Sequence, residues 1–266
     1  MLPLLIDTAS LQSHLDDENL LIIDICHDHN YQNGHIPGAV HISPADLIAG
    51  IPPAVGRLPD KSKLERLFSS IGYCETKQLV VYDDEGGGWA GRLIWTLDVI
   101  GHTKSSLLDG GLIAWHGENR PLETEPVSAQ ATDVQLTIHR QPIAEMTDIL
   151  TTLNQEKVII WDARSKEEFA GTKKFAARGG HIPGAVNLDW QLLMDPENYL
   201  CLKKDLSSLL QQHGLSADKH IITHCQSHHR SGLTYFVGKY LGYSIQGYHG
   251  SWSEWGNDST TPVATV

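Results

Sequence analysis

The chain has 266 residues, enough for one large domain or two modest ones, each with its own core. Its formal net charge of −12 excludes a general nucleic-acid binder and a protein that adheres to anionic membranes. Four cysteines, Cys26, Cys74, Cys201 and Cys225, form no Cys-x-x-Cys pair and no zinc pattern, so no metal site is expected.

The first residues, Met1-Leu-Pro-Leu-Leu-Ile-Asp7, lack a basic region and hold too short an apolar run for a signal peptide. No stretch approaches the length of a membrane span. A soluble protein of the cytoplasm is expected, in a reducing compartment where one thiol can be used repeatedly.

In chain order, Leu20-Leu-Ile-Ile-Asp24 is an apolar run suited to a strand buried on both faces of a parallel sheet. Gly34-His-Ile-Pro-Gly-Ala-Val40 follows. Leu64, Leu67, Phe68 and Ile71 then repeat at helical spacing and stop at Gly72, which fits a helix-ending residue. A second strand, Gln78-Leu-Val-Val-Tyr82, leads into the glycine-rich loop Asp84-Glu-Gly-Gly-Gly-Trp89. The copy closes with a strand and the turn Asp109-Gly-Gly, leading to Trp115. The polar, proline-containing stretch from Asn119 to Thr132 shows no periodicity and reads as linker.

The same order then recurs. Val158-Ile-Ile-Trp-Asp162 precedes Gly180-His-Ile-Pro-Gly-Ala-Val186, which repeats residues 34–40 identically at a separation of 146. Leu206, Leu209 and Leu210 lead to Gly214, the strand His220-Ile-Ile-Thr223 follows, and His249-Gly-Ser-Trp-Ser-Glu-Trp255 closes the copy. Strands alternating with helical stretches define an α/β fold in two tandem copies, each a mostly parallel sheet flanked by helices. The expected boundaries are a domain at 1–120, a linker at 121–140 and a second domain at 141–266.

The second copy carries the chemistry. The loop His224-Cys225-Gln226-Ser227-His228-His229-Arg230-Ser231 joins a buried strand to a helix, where backbone N–H groups converge and the helix dipole is positive. Such surroundings favour the thiolate, the nucleophilic form of cysteine. On an acidic chain this basic loop points to a small anion captured locally. Counting back from Gly101 and Gly242 places Asp84 opposite Cys225, so the first copy is expected to be a structural, inactive domain.

Several residues have two readings. Arg230 can hold an oxyanion with its planar fork or form a salt bridge at the helix start. His228 and His229 can raise the local potential, although at least one of them is expected merely to face solvent. His224 should point away from Cys225, as a core or interface histidine. Arg164 is expected to pair with a carboxylate. Trp190 and Trp252 either wall the pocket or belong to the core. His35 and His181 occur in both copies, so a turn-stabilising role is expected. Cys26, Cys74 and Cys201 are expected to be buried structural thiols.

The two GHIPGA segments, Asp162-Ala-Arg164 and the Cys225 loop resemble a two-domain rhodanese, a sulfurtransferase, over about residues 5–256. The resemblance implies an inactive first domain and a catalytic second one. Cys-Gln-Ser-His-His-Arg is similar to the Cys-Gln-Thr-His-His-Arg loop of bacterial thiosulfate sulfurtransferases. It implies Cys225 as nucleophile and Gln226, Ser227, His228, His229, Arg230 and Ser231 as the substrate-binding loop. No metal or organic cofactor is implied. Thiosulfate would be the donor, and cyanide, a thiol or a sulfur-accepting protein the acceptor.

The sequence departs from the mercaptopyruvate-using branch, whose loop resembles Cys-Gly-Ser-Gly-Val and which has a second arginine where this chain has Glu168. That glutamate is expected to repel a substrate carboxylate. The lysine of the vertebrate thiosulfate enzymes is also missing from the loop. A persulfide carrier serving a partner protein is an alternative. A phosphatase is another, but phosphatases of the related fold use Cys-x5-Arg, whereas four residues separate Cys225 from Arg230. A monomer is expected, because a tandem pair already buries its own interface.

Overall fold

The structure, a computed structural model, describes residues 1–153 and 155–266, which form two compact units. Unit one comprises Met1–Leu47, Pro59–His139 and Met194–Leu202; unit two comprises Ile48–Leu58, Arg140–Leu193 and Lys203–Val266.

Unit one holds β1 (Leu5–Ile6), β2 (Leu20–Asp24), β3 (Val40–His41), β4 (Gln78–Tyr82) and β5 (Ser105–Leu108) in one sheet of order β1-β5-β4-β2-β3, parallel throughout. In unit two come β6 (Ile143–Ala144), β7 (Val158–Asp162) and β8 (Val186–Asn187). The hairpin of β9 (Met194–Asp195) and β10 (Cys201–Leu202) returns to unit one, and β11 (His220–His224) and β12 (Ser244–Tyr248) complete unit two. The second sheet, β6-β12-β11-β7-β8, repeats the topology of the first and is also parallel.

The central strands show why their sequences are apolar without alternation. Leu79 to Tyr82 in β4 and Ile221 to His224 in β11 are all buried, because helices cover both faces. The helix Lys61–Ser70 starts where the Asp60 carboxylate accepts the Lys63 N–H at 2.7 Å. It buries Leu64 and Phe68 on one stripe, and the chain leaves it through Gly72 at φ +70°.

The repeated GHIPG turns are held alike. The His35 ring stacks on Tyr31 at 3.9 Å and its Nδ1 donates to the Tyr31 carbonyl at 3.0 Å. His181 stacks on Phe169 at 3.7 Å and donates to the Phe169 carbonyl at 2.9 Å. Both histidines therefore fix turns, as their presence in both copies implies.

A tandem repeat predicts contiguous boundaries; instead each unit includes a short segment from the opposite half of the chain. Residues 194–202 are tied into unit one by the Leu202 N–H, which donates to Asp109 at 2.7 Å. The stretch read as linker is packed along unit one up to His139. The Leu136 N–H donates to Glu65 at 3.0 Å, and that of His139 to the Val99 carbonyl at 2.7 Å. Among the described residues no helix is long and apolar enough to cross a membrane.

Candidate active site

Cys225 lies at the carboxyl end of β11, where the chain turns through residues 226–229 into the helix Arg230–Tyr240. Ligands in parallel α/β sheets gather at such strand ends. The residue is 1% exposed. Burial alone pushes its thiol up, but Arg230, the hydroxyl and N–H of Ser231, and His229 outweigh that penalty and hold the pKa below the ordinary cysteine value. The site therefore makes the thiolate easier to form than at an ordinary cysteine.

The loop is held from beneath by the turn after β12. The N–H groups of Trp252 and Ser253 donate to the carbonyls of Cys225 and Gln226 at 3.0 and 2.8 Å. Ser251 Oγ accepts the Cys225 N–H at 3.4 Å and donates to the Tyr248 carbonyl at 2.9 Å. Ser251 adopts φ +54°, the same value as Gly111 in unit one. The Gly-Ser versus Gly-Gly contrast between the copies is the sequence signal for this residue.

The loop residues separate into distinct environments. His228 is fully buried at φ +58°, with Nδ1 2.7 Å from Ser231 Oγ. His229 is partly exposed, its ring 5.9 Å from that of Trp190. Of the two histidines, only His229 reaches solvent. Gln226 Nε2 donates to the Phe175 carbonyl at 3.1 Å. His224 is buried beneath the loop; its Nδ1 donates to the Cys225 carbonyl at 3.1 Å, and burial lowers its pKa and keeps the imidazole neutral.

Arg230 realises the salt bridge of its two readings. Its Nη1 and Nη2 donate to the two Glu168 oxygens at 2.6 and 2.8 Å. This also corrects the reading of Glu168 as a charge facing the substrate. The residue is 2% exposed, sits at the third position of the helix Lys166–Ala170 in a capping box with Ser165, and is ion-paired. Its charge is spent on Arg230 and does not confront a ligand as a bare carboxylate.

Arg164 is buried and pairs with Asp162 through three contacts of 2.5 to 3.2 Å. Its guanidinium lies 4.4 Å from the Trp252 ring, so Trp252 is core beneath the site. Of the other thiols, Cys26 is buried, and burial together with Asp24 pushes it up. Cys201 and Cys74 are only part-buried, which corrects the expectation for both. Burial pushes Cys201 up to about 12, whereas hydrogen bonding to Thr76 lowers Cys74.

The first loop also needs correction. In the sheets Asp24 pairs with Tyr82 and Asp162 with His224, so Tyr82 matches His224 and the next residue, Asp83, matches Cys225. Leu112 N–H donates to the Asp83 carbonyl as Trp252 N–H does to that of Cys225. The count back from Gly101 failed because the helix Gly88–Val99 is one residue longer than its partner, 12 against 11. Asp84 instead matches Gln226, and Gly88 stands in the place of Arg230.

The Asp83 carboxylate fills its own loop. Oδ1 accepts the N–H groups of Glu85, Gly86 and Gly87 at 3.1, 3.1 and 2.8 Å, and Oδ2 accepts that of Ala90 at 2.9 Å. The cradle that can hold an anion is thus closed by an internal one. Burial and Glu85 still push Asp83 up to about 6. In the second loop the matching N–H groups belong to Ser227, His228, His229 and Gly232, the last of which donates to the His229 carbonyl at 2.8 Å.

The chain belongs to the rhodanese family: the Rhodanese-like domain family matches residues 7–118 and 145–258. It is 48% identical to the thiosulfate sulfurtransferase of Azotobacter vinelandii over 98% of this chain and 97% of that protein. It is 31% identical to the sulfur carrier protein TtuD of Thermus thermophilus, over 98% and 96% of the two chains. Among solved structures, wild-type EanB shares the fold with a TM-score of 0.84 at 18% identity. The match covers 94% of this chain but 64% of that one, so the chain spans under two thirds of that protein's length.

Proposed function

We propose that the protein is a thiosulfate sulfurtransferase acting through a Cys225 persulfide. The observation that carries this reading is a buried cysteine at the end of a parallel strand, its pKa lowered by Arg230, by the hydroxyl and N–H of Ser231 and by His229. The Cys225 thiolate attacks the outer sulfur of thiosulfate; the sulfur–sulfur bond of the donor breaks and sulfite leaves with the electron pair. The loop N–H groups stabilise the persulfide anion as an oxyanion hole stabilises developing charge. Cyanide or a thiolate then attacks the outer sulfur, forming thiocyanate or a new persulfide and regenerating the Cys225 thiolate. The cycle is ping-pong and needs no net proton transfer.

Gln226, Ser227, His228, His229, Arg230 and Ser231 form the binding loop in this reading, with Arg230 acting by its charge. Unit one is inactive, lacking both thiol and arginine at the matching positions. We place the protein in the cytoplasm as a monomer, on its four free cysteines and the duplication within one chain. The likeness to a sulfur carrier supports a second reading, delivery of the persulfide to a partner protein. Four residues between Cys225 and Arg230, rather than five, argue against a phosphatase.

Intact mass measured after thiosulfate treatment tests the first step. The wild type is expected to gain one sulfur atom, reversible by cyanide, and Cys225→Ala none. An unmodified wild type would refute thiosulfate as donor. Transfer to a specific protein but not to cyanide would establish the carrier reading.

A further inference from the structure

The segment Ile48–Leu58 lies in the first half of the sequence yet belongs to unit two, and it meets the catalytic loop. A Cβ at Gly56 would come within 2.0 Å of the Ser227 carbonyl oxygen and 2.5 Å of its carbon, so only a glycine allows this approach. The next two residues are anchored. Arg57 Nε and Nη2 donate to Glu254 Oε1 at 3.0 and 2.5 Å, and Nη2 lies 3.2 Å from Glu145 Oε2. The Leu58 N–H donates to His249 Nδ1 at 3.0 Å.

Glu254 is also held on its other oxygen, where Tyr248 Oη donates at 2.8 Å. It sits on the helix Ser251–Trp255, the element whose N–H groups grip the carbonyls of Cys225 and Gln226. The catalytic loop is therefore enclosed on two sides. The helix fixes its first turn at residues 225 and 226, the segment rests against it at residue 227, and the Arg57–Glu254 pair ties segment to helix.

We infer that Gly56 and Arg57 are positioning residues for sulfur transfer, which set the direction of the loop N–H groups around the Cys225 sulfur without touching the substrate. A loop whose N–H groups diverge by even a fraction of an ångström stabilises a sulfur anion less well, because hydrogen bonds weaken steeply with angle. The inference rests on the sulfurtransferase reading for its turnover measurements, but its reactivity measurement does not.

The test compares Gly56→Ala, Arg57→Ala and Arg57→Lys with the wild type. Three quantities are read: the iodoacetamide alkylation rate of Cys225 at neutral pH, kcat and KM for thiosulfate with cyanide, and the unfolding midpoint. Gly56→Ala is expected to slow alkylation and lower kcat about 100-fold, and Arg57→Ala about 10-fold, in line with partial loss of preorganised donors. KM should change little, and Arg57→Lys should recover most of the loss by restoring the charge opposite Glu254. If the folded variants alkylate and turn over like the wild type while only the unfolding midpoint falls, the segment is structural and the inference is overturned. Altered alkylation in a protein without thiosulfate turnover would uphold the inference and refute the donor assignment.

Discussion

Replacing Arg230 by methionine is expected to lower kcat/KM for sulfur loading by about 100- to 1,000-fold, the range for loss of one strong electrostatic donor. Arg230 is the foremost of the groups that hold the Cys225 thiol down against burial. Without it burial prevails, the thiol pKa rises and the thiolate fraction at neutral pH shrinks. The deficit should therefore narrow as pH rises through the range of the variant's thiol, and the pH profile of Cys225 alkylation should shift upward in parallel. The substitution also strands Glu168, whose side chain is 3% exposed, and an uncompensated buried carboxylate costs about 3–5 kcal/mol. The double variant Glu168→Gln/Arg230→Met separates the two effects. It should regain stability without regaining activity. An alkylation profile unchanged in both variants would show that Arg230 has no electrostatic role at the sulfur.

Asp83→Ala is expected to destabilise unit one by about 2–4 kcal/mol, because it leaves four converging N–H groups without their acceptor. A vacated cradle should bind a small anion. Sulfate or thiosulfate should then raise the unfolding midpoint of Asp83→Ala more than that of the wild type, whose cradle is filled. Equal anion effects on both proteins would contradict an internal-ligand role for Asp83. The carboxyl also makes a pH prediction. Its folded pKa of about 6 lies above the ordinary 3.8, so the folded state holds this proton more tightly than the unfolded chain. Its contribution is fully present below about pH 4 and is lost as pH rises through 6. The wild type should therefore lose stability relative to Asp83→Asn across that window, measured by urea unfolding at each pH.

Much of this was legible in the residues themselves. The runs Leu20–Asp24, Gln78–Tyr82 and Val158–Asp162 became strands with those bounds, because a strand buried on both faces needs uninterrupted apolar side chains. The duplicated GHIPGAV segment exposed the tandem architecture, and the loop at Cys225 does lie between a buried strand and a helix. These are local patterns, and each needs only its own few residues to be recognised.

What the sequence did not determine were relations between distant residues. Glu168 and Arg230 are 62 positions apart, and only their meeting at the loop turned a supposed repelling charge into the partner of Arg230. Asp83 rather than Asp84 matches Cys225, because sheet register fixes the correspondence while one extra helical residue misleads a linear count. Gly56 carries no signal in the chain, and its meaning appears only where the Ser227 carbonyl excludes a side chain. Composition, periodicity and the repeated motif thus determined that this protein is two parallel α/β copies, with one cysteine between a buried strand and a helix in the second. The tertiary structure alone decided which charges and backbone groups surround that cysteine, since those contacts join segments that no local pattern connects.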